Sequence, residues 1–306
     1  MRNVRVAAIS MERQPTVEAS LATAMIHMER AALFKPDIIV LPEACINPRD
    51  FPEPAPGNIT NEFARKARDI GCYIIIPIEE ITEDGTLYNT AVVLDPQGEI
   101  CGKYRKMFPT DYEMAAGIMP GTEMPVFTTP KCRFGIATCF DLNFPELITG
   151  LARGGAEIVF FVSAYEGGRQ LLQAALQNNV YIVSAHRGGI GYVVDKSGTL
   201  LQKGSRTQPV VVRNLNLDRQ ILHIDYNWRR LKEISTKYGA AIHIDFYQAE
   251  GIMALESLTD AVTVDDLIKE YDLETNLQYL DRSRRLRQAM LQGEKVTARQ
   301  IPDSSR

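Results

Sequence analysis

Two kinds of connection alternate along this chain, and any fold must accommodate both. Strand-like apolar runs at residues 4–10 and 37–41 are separated by residues 17–34, where apolar side chains recur at helical spacing, so the chain opens as a βαβ unit. After a second helical stretch at 61–70, the strand-like runs 72–81, 87–94 and 99–105 follow one another directly. They are joined by Glu83-Asp84-Gly85 and Asp95-Pro96-Gln97-Gly98, residues that favour turns. The same order returns in different letters: strand 134–138, helix 146–153, strand 157–163, helix 169–178 and strand 180–185. Strands at 190–195, 200–203 and 210–217 then follow. Helical crossovers make parallel pairs and hairpins make antiparallel ones, so an α/β protein with mixed sheets and helices on their outer faces is expected.

No linker-like or low-complexity stretch divides the halves, which places one domain over residues 1–247 and a C-terminal extension over 248–306. That extension reads as helical and polar from 262 to 294. Within it, DRSRRLRQAM at 281–290 reads as a solvated helix face in preference to a basic docking patch. A length of 306 residues suffices for a full hydrophobic core, and a net charge of -4 without a basic stripe excludes nonspecific nucleic-acid binding as the main business. The opening MRNVRVAAISMERQP carries only a short apolar run interrupted by charge, so neither a secretory signal nor a membrane anchor is expected, and the expected location is the cytoplasm. Cys45, Cys72, Cys101, Cys132 and Cys139 are odd in number and form no CxxC pair. They are expected to be reduced thiols, outside any disulfide framework or zinc ribbon.

Three strand ends carry the residues with chemistry. The run IATCFDLNFPE at 136–146 ends its apolar stretch on Cys139, IIVLPE at 38–43 ends on Glu43, and GEICGKYRK at 98–106 ends on Lys106. Charge at the tip of a buried strand needs a partner or a purpose. A nucleophile, an acid or base and a cation at strand ends are the parts of a hydrolytic site, since a thiol is mostly protonated at neutral pH and needs a base to become a nucleophile.

The segments LPEACINP around Glu43, GKYRKMFP around Lys106 and GIATCFDLNFPE around Cys139, supported by LYNTAVVLDPQG, AHRGG and NLDR, resemble the nitrilase superfamily of carbon-nitrogen hydrolases over roughly residues 4–225. The resemblance implies a four-layer α-β-β-α sandwich of two mixed sheets, and a Glu-Lys-Cys triad that cleaves an amide or carbamoyl carbon-nitrogen bond through a thioester. It implies no metal or organic cofactor. Glu43 would be the general base, Cys139 the nucleophile, and Lys106 with the Phe140 N–H the oxyanion donors. Glu113 would be a second glutamate placing substrate, with Asp111 the weaker candidate for that role, and Asn89 would orient Glu43 or Lys106 unless it bonds only backbone. The partners implied are a small-molecule substrate and further copies of the chain in a homodimer or larger homo-oligomer, without nucleic acid or membrane.

The chain also departs from that pattern. Gln173 and Gln177 stand where many members carry an Arg and a Glu, Ser163-Ala164-Tyr165-Glu166 replaces a common Pro-Thr segment, and the loop after His186-Arg187 is short. Nitrile-cleaving members place Trp and Glu after the cysteine, whereas Phe140 and Asp141 stand here, which favours amide or carbamoyl hydrolysis over nitrile hydrolysis. Arg169 or Arg187 would serve a substrate carboxylate, although a structural or surface role is the alternative for each. The two HID segments, His223-Ile224-Asp225 and His243-Ile244-Asp245, put His and Asp on one strand face, a weak metal-ligand pattern, and His27 reads as packing within its helix. A noncatalytic relative that binds a ligand or serves assembly is the rival from another class. An α/β-hydrolase reading lacks its GxCxG elbow.

Overall fold

A computed structural model describes residues 2–299. In chain order the elements are β1 (Asn3–Ile9), α1 (Val17–Ala32), β2 (Ile38–Val40), α2 (Asn58–Ile70), β3 (Tyr73–Ile81), β4 (Leu87–Leu94), β5 (Ile100–Arg105), α3 (Asp111–Ala115), β6 (Phe127–Thr128), β7 (Arg133–Thr138), α4 (Pro145–Arg153) and β8 (Ile158–Ser163). There follow α5 (Arg169–Asn178), β9 (Tyr181–His186), β10 (Tyr192–Val194), β11 (Leu200–Lys203), β12 (Val210–Asn216), β13 (Arg219–His223), α6 (Leu231–Tyr238), β14 (Ile242–Tyr247), β15 (Ile252–Ser257), α7 (Val264–Glu270) and α8 (Asn276–Leu291).

Contacts divide the chain into a unit of Val4–Leu215 and a smaller one built chiefly from Asn216 onward. In the larger unit one six-stranded sheet runs β12-β1-β2-β3-β4-β5 and another runs β11-β10-β9-β8-β7-β6. The two share a plan. β1, β2 and β3 pair in parallel, as do β7, β8 and β9, and antiparallel hairpin strands continue each sheet outward through β4 and β5 or through β10 and β11. This is the mixed α/β sandwich expected from alternating crossovers and hairpins.

Local chemistry sets the boundaries. Thr16 caps α1 by accepting the Ala19 N–H at 3.1 Å, and α2 ends on Gly71 in the left-handed conformation at φ 73°. Every residue of β8, IVFFVS, is buried, as befits a parallel strand covered on both faces. Fully burying each such Ile, Val or Phe contributes about 1.5–3 kcal/mol before conformational entropy is charged against it.

The smaller unit holds a three-stranded antiparallel sheet in the order β13-β15-β14, and α6, α7 and α8 lie in the same unit. Tyr247, the expected end of the first domain, closes β14, whose partner β15 lies beyond it. The helical stretch expected over 262–294 is two helices, separated where Asp272 takes φ 49°. Among the described residues no helix is long and apolar enough to cross a membrane.

Candidate active site

The larger unit brings Glu43, Lys106 and Cys139 together from the ends of β2, β5 and β7, the carboxyl edge where open α/β sheets bind ligands. Lys106 is 1% exposed, and its backbone N–H donates to the Asn89 carbonyl at 2.9 Å, continuing the β4–β5 ladder by one residue. Its Nζ donates to Glu43 Oε1 at 2.9 Å and to Glu113 Oε1 and Oε2 at 3.0 and 2.8 Å. Burial by itself would lower the Lys106 pKa, but Glu43, Cys139 and Glu113 outweigh it and hold the ammonium well above its ordinary range.

Glu43 is fixed at both oxygens. Besides Lys106, Oε1 accepts the Asn89 amide at 2.8 Å, and Oε2 accepts the Ala164 N–H at 3.0 Å. Ala164 is held in turn, because its carbonyl meets His186 Nε2 at 3.2 Å and the His186 N–H donates to Ser10 Oγ at 3.0 Å. Cys139 takes φ 50° on the residue where β7 turns into a 3₁₀ segment. A left-handed φ at a residue with a β-carbon is strained and is held only by its surroundings. Burial and the adjacent Glu43 carboxylate push the thiol up to about 12, against the opposing pull of Lys106 and the Ala164 N–H, so the resting sulfur is protonated.

Glu113, buried on the short helix α3, pairs with Lys106 and accepts the second Asn89 contact at 3.1 Å and the Thr110 N–H at 2.7 Å. Burial would raise its pKa, yet Lys106 and these donors bring it below the ordinary value. Asp111 is exposed and accepts only the neighbouring Tyr112 N–H among the bonds resolved for it. Asn89 therefore bridges Glu43 and Glu113 and leaves Lys106 to them. Phe140 follows the sulfur at the opening of the 3₁₀ turn, its ring edge-on to Phe144 with centroids 5.4 Å apart. Arg169 opens α5 at the surface. Arg187 is half-buried after β9 and close enough to Cys45 to favour that thiolate, although burial still pushes the Cys45 thiol up to about 12. In the smaller unit, Asp245 pairs with Arg219 at 2.8 Å and with His243 at 2.8 Å.

Three residues of the site were not anticipated. Asp141, fully buried, accepts the Tyr104 hydroxyl at 2.6 Å, the Thr138 N–H at 2.8 Å and the Phe108 N–H at 2.8 Å. It ties the turn that carries Cys139 to the segment that carries Lys106, at the cost of a pKa raised by burial to about 6. Arg49 brings Nη2 within 3.8 Å of Glu113 and lies over the Tyr112 ring, while its Nε is buried without a hydrogen-bond partner. Glu79 pairs across β3–β4 with Asn89, so the two side chains share one sheet face. It is 4% exposed, and its Oε2 has no partner.

Glu79 supplies a test of this electrostatic picture. Burial raises its pKa from 4.5 to about 7, Arg49 opposes the rise, and Glu43 and Glu113 add to it. The folded chain thus keeps a proton that the unfolded chain releases between pH 4.5 and 7, and this group's contribution to stability falls as pH rises through that window. Glu79→Gln mimics the protonated form. It is expected to match the parent protein near pH 5 and to exceed it by up to ~3 kcal/mol above pH 8 in denaturant unfolding. An equal stability difference at both pH values would refute the assignment.

Comparisons with known proteins bear on the family and the fold. The carbon-nitrogen hydrolase family model matches residues 5–220. Omega-amidase NIT2 of Homo sapiens is 28% identical over 253 residues, which is 72% of this chain and 91% of that protein. Omega-amidase NIT2-A of Xenopus laevis is 32% identical over 182 residues, 52% of this chain and 65% of that protein. Among solved structures, Saccharomyces cerevisiae Nit3, a member of branch 10 of the nitrilase superfamily, superposes with a TM-score of 0.65 at 22% identity, covering 70% of this chain and 90% of that one. An amidase from Nesterenkonia sp. gives 0.62 at 20% identity over 77% and 96%. With a family model that matches most of its length, the chain belongs to the carbon-nitrogen hydrolase family.

Proposed function

We propose that the protein hydrolyses the terminal amide of a small molecule, with Cys139 as nucleophile, Glu43 as general base and Lys106 as electrostatic stabiliser. The observation that carries this reading is the buried Lys106 ammonium, held between Glu43 and Glu113 beside the thiol. Because the resting sulfur is protonated, Glu43 takes its proton as the sulfur attacks the amide carbon. The oxyanion of the tetrahedral intermediate is stabilised by Lys106 and by the Phe140 N–H. Glu43 returns the proton to the departing nitrogen, ammonia leaves a thioester on Cys139, and Glu43 then activates the water that releases the acid.

Glu113 fixes Lys106 and borders the substrate, and Asn89 orients Glu43. The omega-amidase relatives support a terminal amide over the carbamoyl and nitrile alternatives. The half-buried Arg49 and Arg187 are the cations available to an acidic substrate group. Five free cysteines suit a reducing, cytoplasmic setting, and homo-oligomerisation belongs to the same reading.

The deciding experiment offers a panel of amides and carbamoyl compounds, follows ammonia release, and looks for an acyl adduct on Cys139 by intact mass. Cys139→Ala is expected to abolish both signals. Turnover that survives this change would eliminate the mechanism, and silence across the whole panel would favour a noncatalytic binding role.

A further inference from the structure

Thr23, His27 and Arg30 stand four and three residues apart on α1 and so share one helix face. That face borders an open polar cavity of about 420 Å³, completed by Ser10 and Glu12 after β1, by Gly188 and Gly189 after β9, and by Arg206 in the turn before β12. All of these residues belong to the unit Val4–Leu215. Nδ1 of His27 is buried without a hydrogen-bond partner, and neither Arg30 nor Arg206 meets a carboxylate at ion-pair distance among the described residues. Gly189, at φ 91°, lets the backbone run against Arg206, where an added β-carbon would meet the arginine Cα at 3.3 Å.

Arg30, Arg206 and His27 line one polar space, and together they offer donors to an acceptor with several oxygens. Guanidinium forks match the oxygens of a phosphate group, and the third donor suits a tetrahedral anion better than a planar carboxylate. Glu12 on the rim is the one opposing charge, which leaves the cavity net positive whether or not His27 is protonated. We propose that this cavity binds a phosphate group, seated between Arg30 and Arg206 with His27 as third donor, at a position separate from the catalytic thiol.

His27 reports on occupancy. Burial and Arg30 hold its pKa below the ordinary imidazole value, and Glu12 and Arg206 line the same cavity. A dianion between the two arginines reverses that influence. The full-length protein is therefore titrated with inorganic phosphate at constant pH and ionic strength while the four histidine side chains are followed by NMR, with His27→Gln identifying the resonance. The expected result is a saturable shift confined to His27, a higher His27 titration midpoint with phosphate bound, and at least ~10-fold weaker binding in Arg30→Gln and Arg206→Gln. Both arginines are solvent-exposed, so these variants are expected to fold. Comparing glycerol phosphate with inorganic phosphate shows whether the occupant is a phosphate ester or the free ion. The proposal is overturned if His27 shows no saturable response, if the arginine replacements leave the affinity unchanged, or if phosphate binds only in competition with the amide substrate.

Discussion

Glu43→Gln is expected to lower kcat/KM for a primary amide by about 10⁴-fold while making Cys139 easier to alkylate at neutral pH. The opposite signs follow from one carboxylate with two effects. Glu43 is among the causes that push the thiol up to about 12, so the sulfur is protonated at pH 7, and in the proposed mechanism turnover depends on a base that removes the proton during attack. Glutamine nearly preserves the shape, and its carbonyl still accepts from Lys106. It cannot take a proton, and it no longer repels negative charge on sulfur, so the thiolate fraction rises even as catalysis collapses. Iodoacetamide labelling against pH, read beside steady-state hydrolysis, separates the two. Hydrolysis within tenfold of the parent protein, or labelling that slows in step with it, would remove Glu43 from the role of base.

The same residues show how far the sequence carries the structure. Glu43, Lys106 and Cys139 were legible because each directly follows a strand-like segment, where a charge or thiol is placed at the edge of the sheet. Glu79 was missed, although a signal existed. In the strand YIIIPIEEI two adjacent glutamates point to opposite faces, and only one can reach the cations of the hairpin. Glu80 takes Lys103, Arg105 and Thr90, so Glu79 has to face the site. Asp141 also carried a local mark, the Thr138-x-x-Asp141 spacing of a cap, but its Tyr104 and Phe108 bonds join segments more than thirty residues apart. Helix α3 has five residues, too few for helical periodicity to announce it, and the Lys106–Glu113 contact it makes is a tertiary one. The β13-β15-β14 sheet depends on pairing out of chain order, so a reading by succession of elements passed over it.

Lys106→Met tests the site from the other side, because here stability and activity fall together. Removing the ammonium leaves Glu43 at 4% exposure and Glu113 at 5% without the cation they share, two carboxylates turned toward a space that now holds an apolar chain. Breaking a buried pair by deleting one partner costs about 3–5 kcal/mol, and loss of the oxyanion donor is expected to lower kcat by about 10³-fold at any temperature where the protein stays folded. The sign of the pH dependence separates charge from packing. In the parent protein Glu113 has a lowered pKa, so its stabilisation is present above the ordinary carboxylate value and fades as pH falls through the depressed one. In the variant Glu113 loses the cation that lowers its pKa and keeps the burial that raises it, so the folded state binds more protons than the unfolded and the deficit in unfolding free energy shrinks as pH drops from 8 toward 5. Adding Glu113→Gln should restore most of the stability at pH 8 and none of the activity, since a neutral partner relieves the repulsion without supplying a donor to the oxyanion. A deficit independent of pH would assign Lys106 to packing alone, and activity recovered with the second substitution would take the oxyanion from its ammonium.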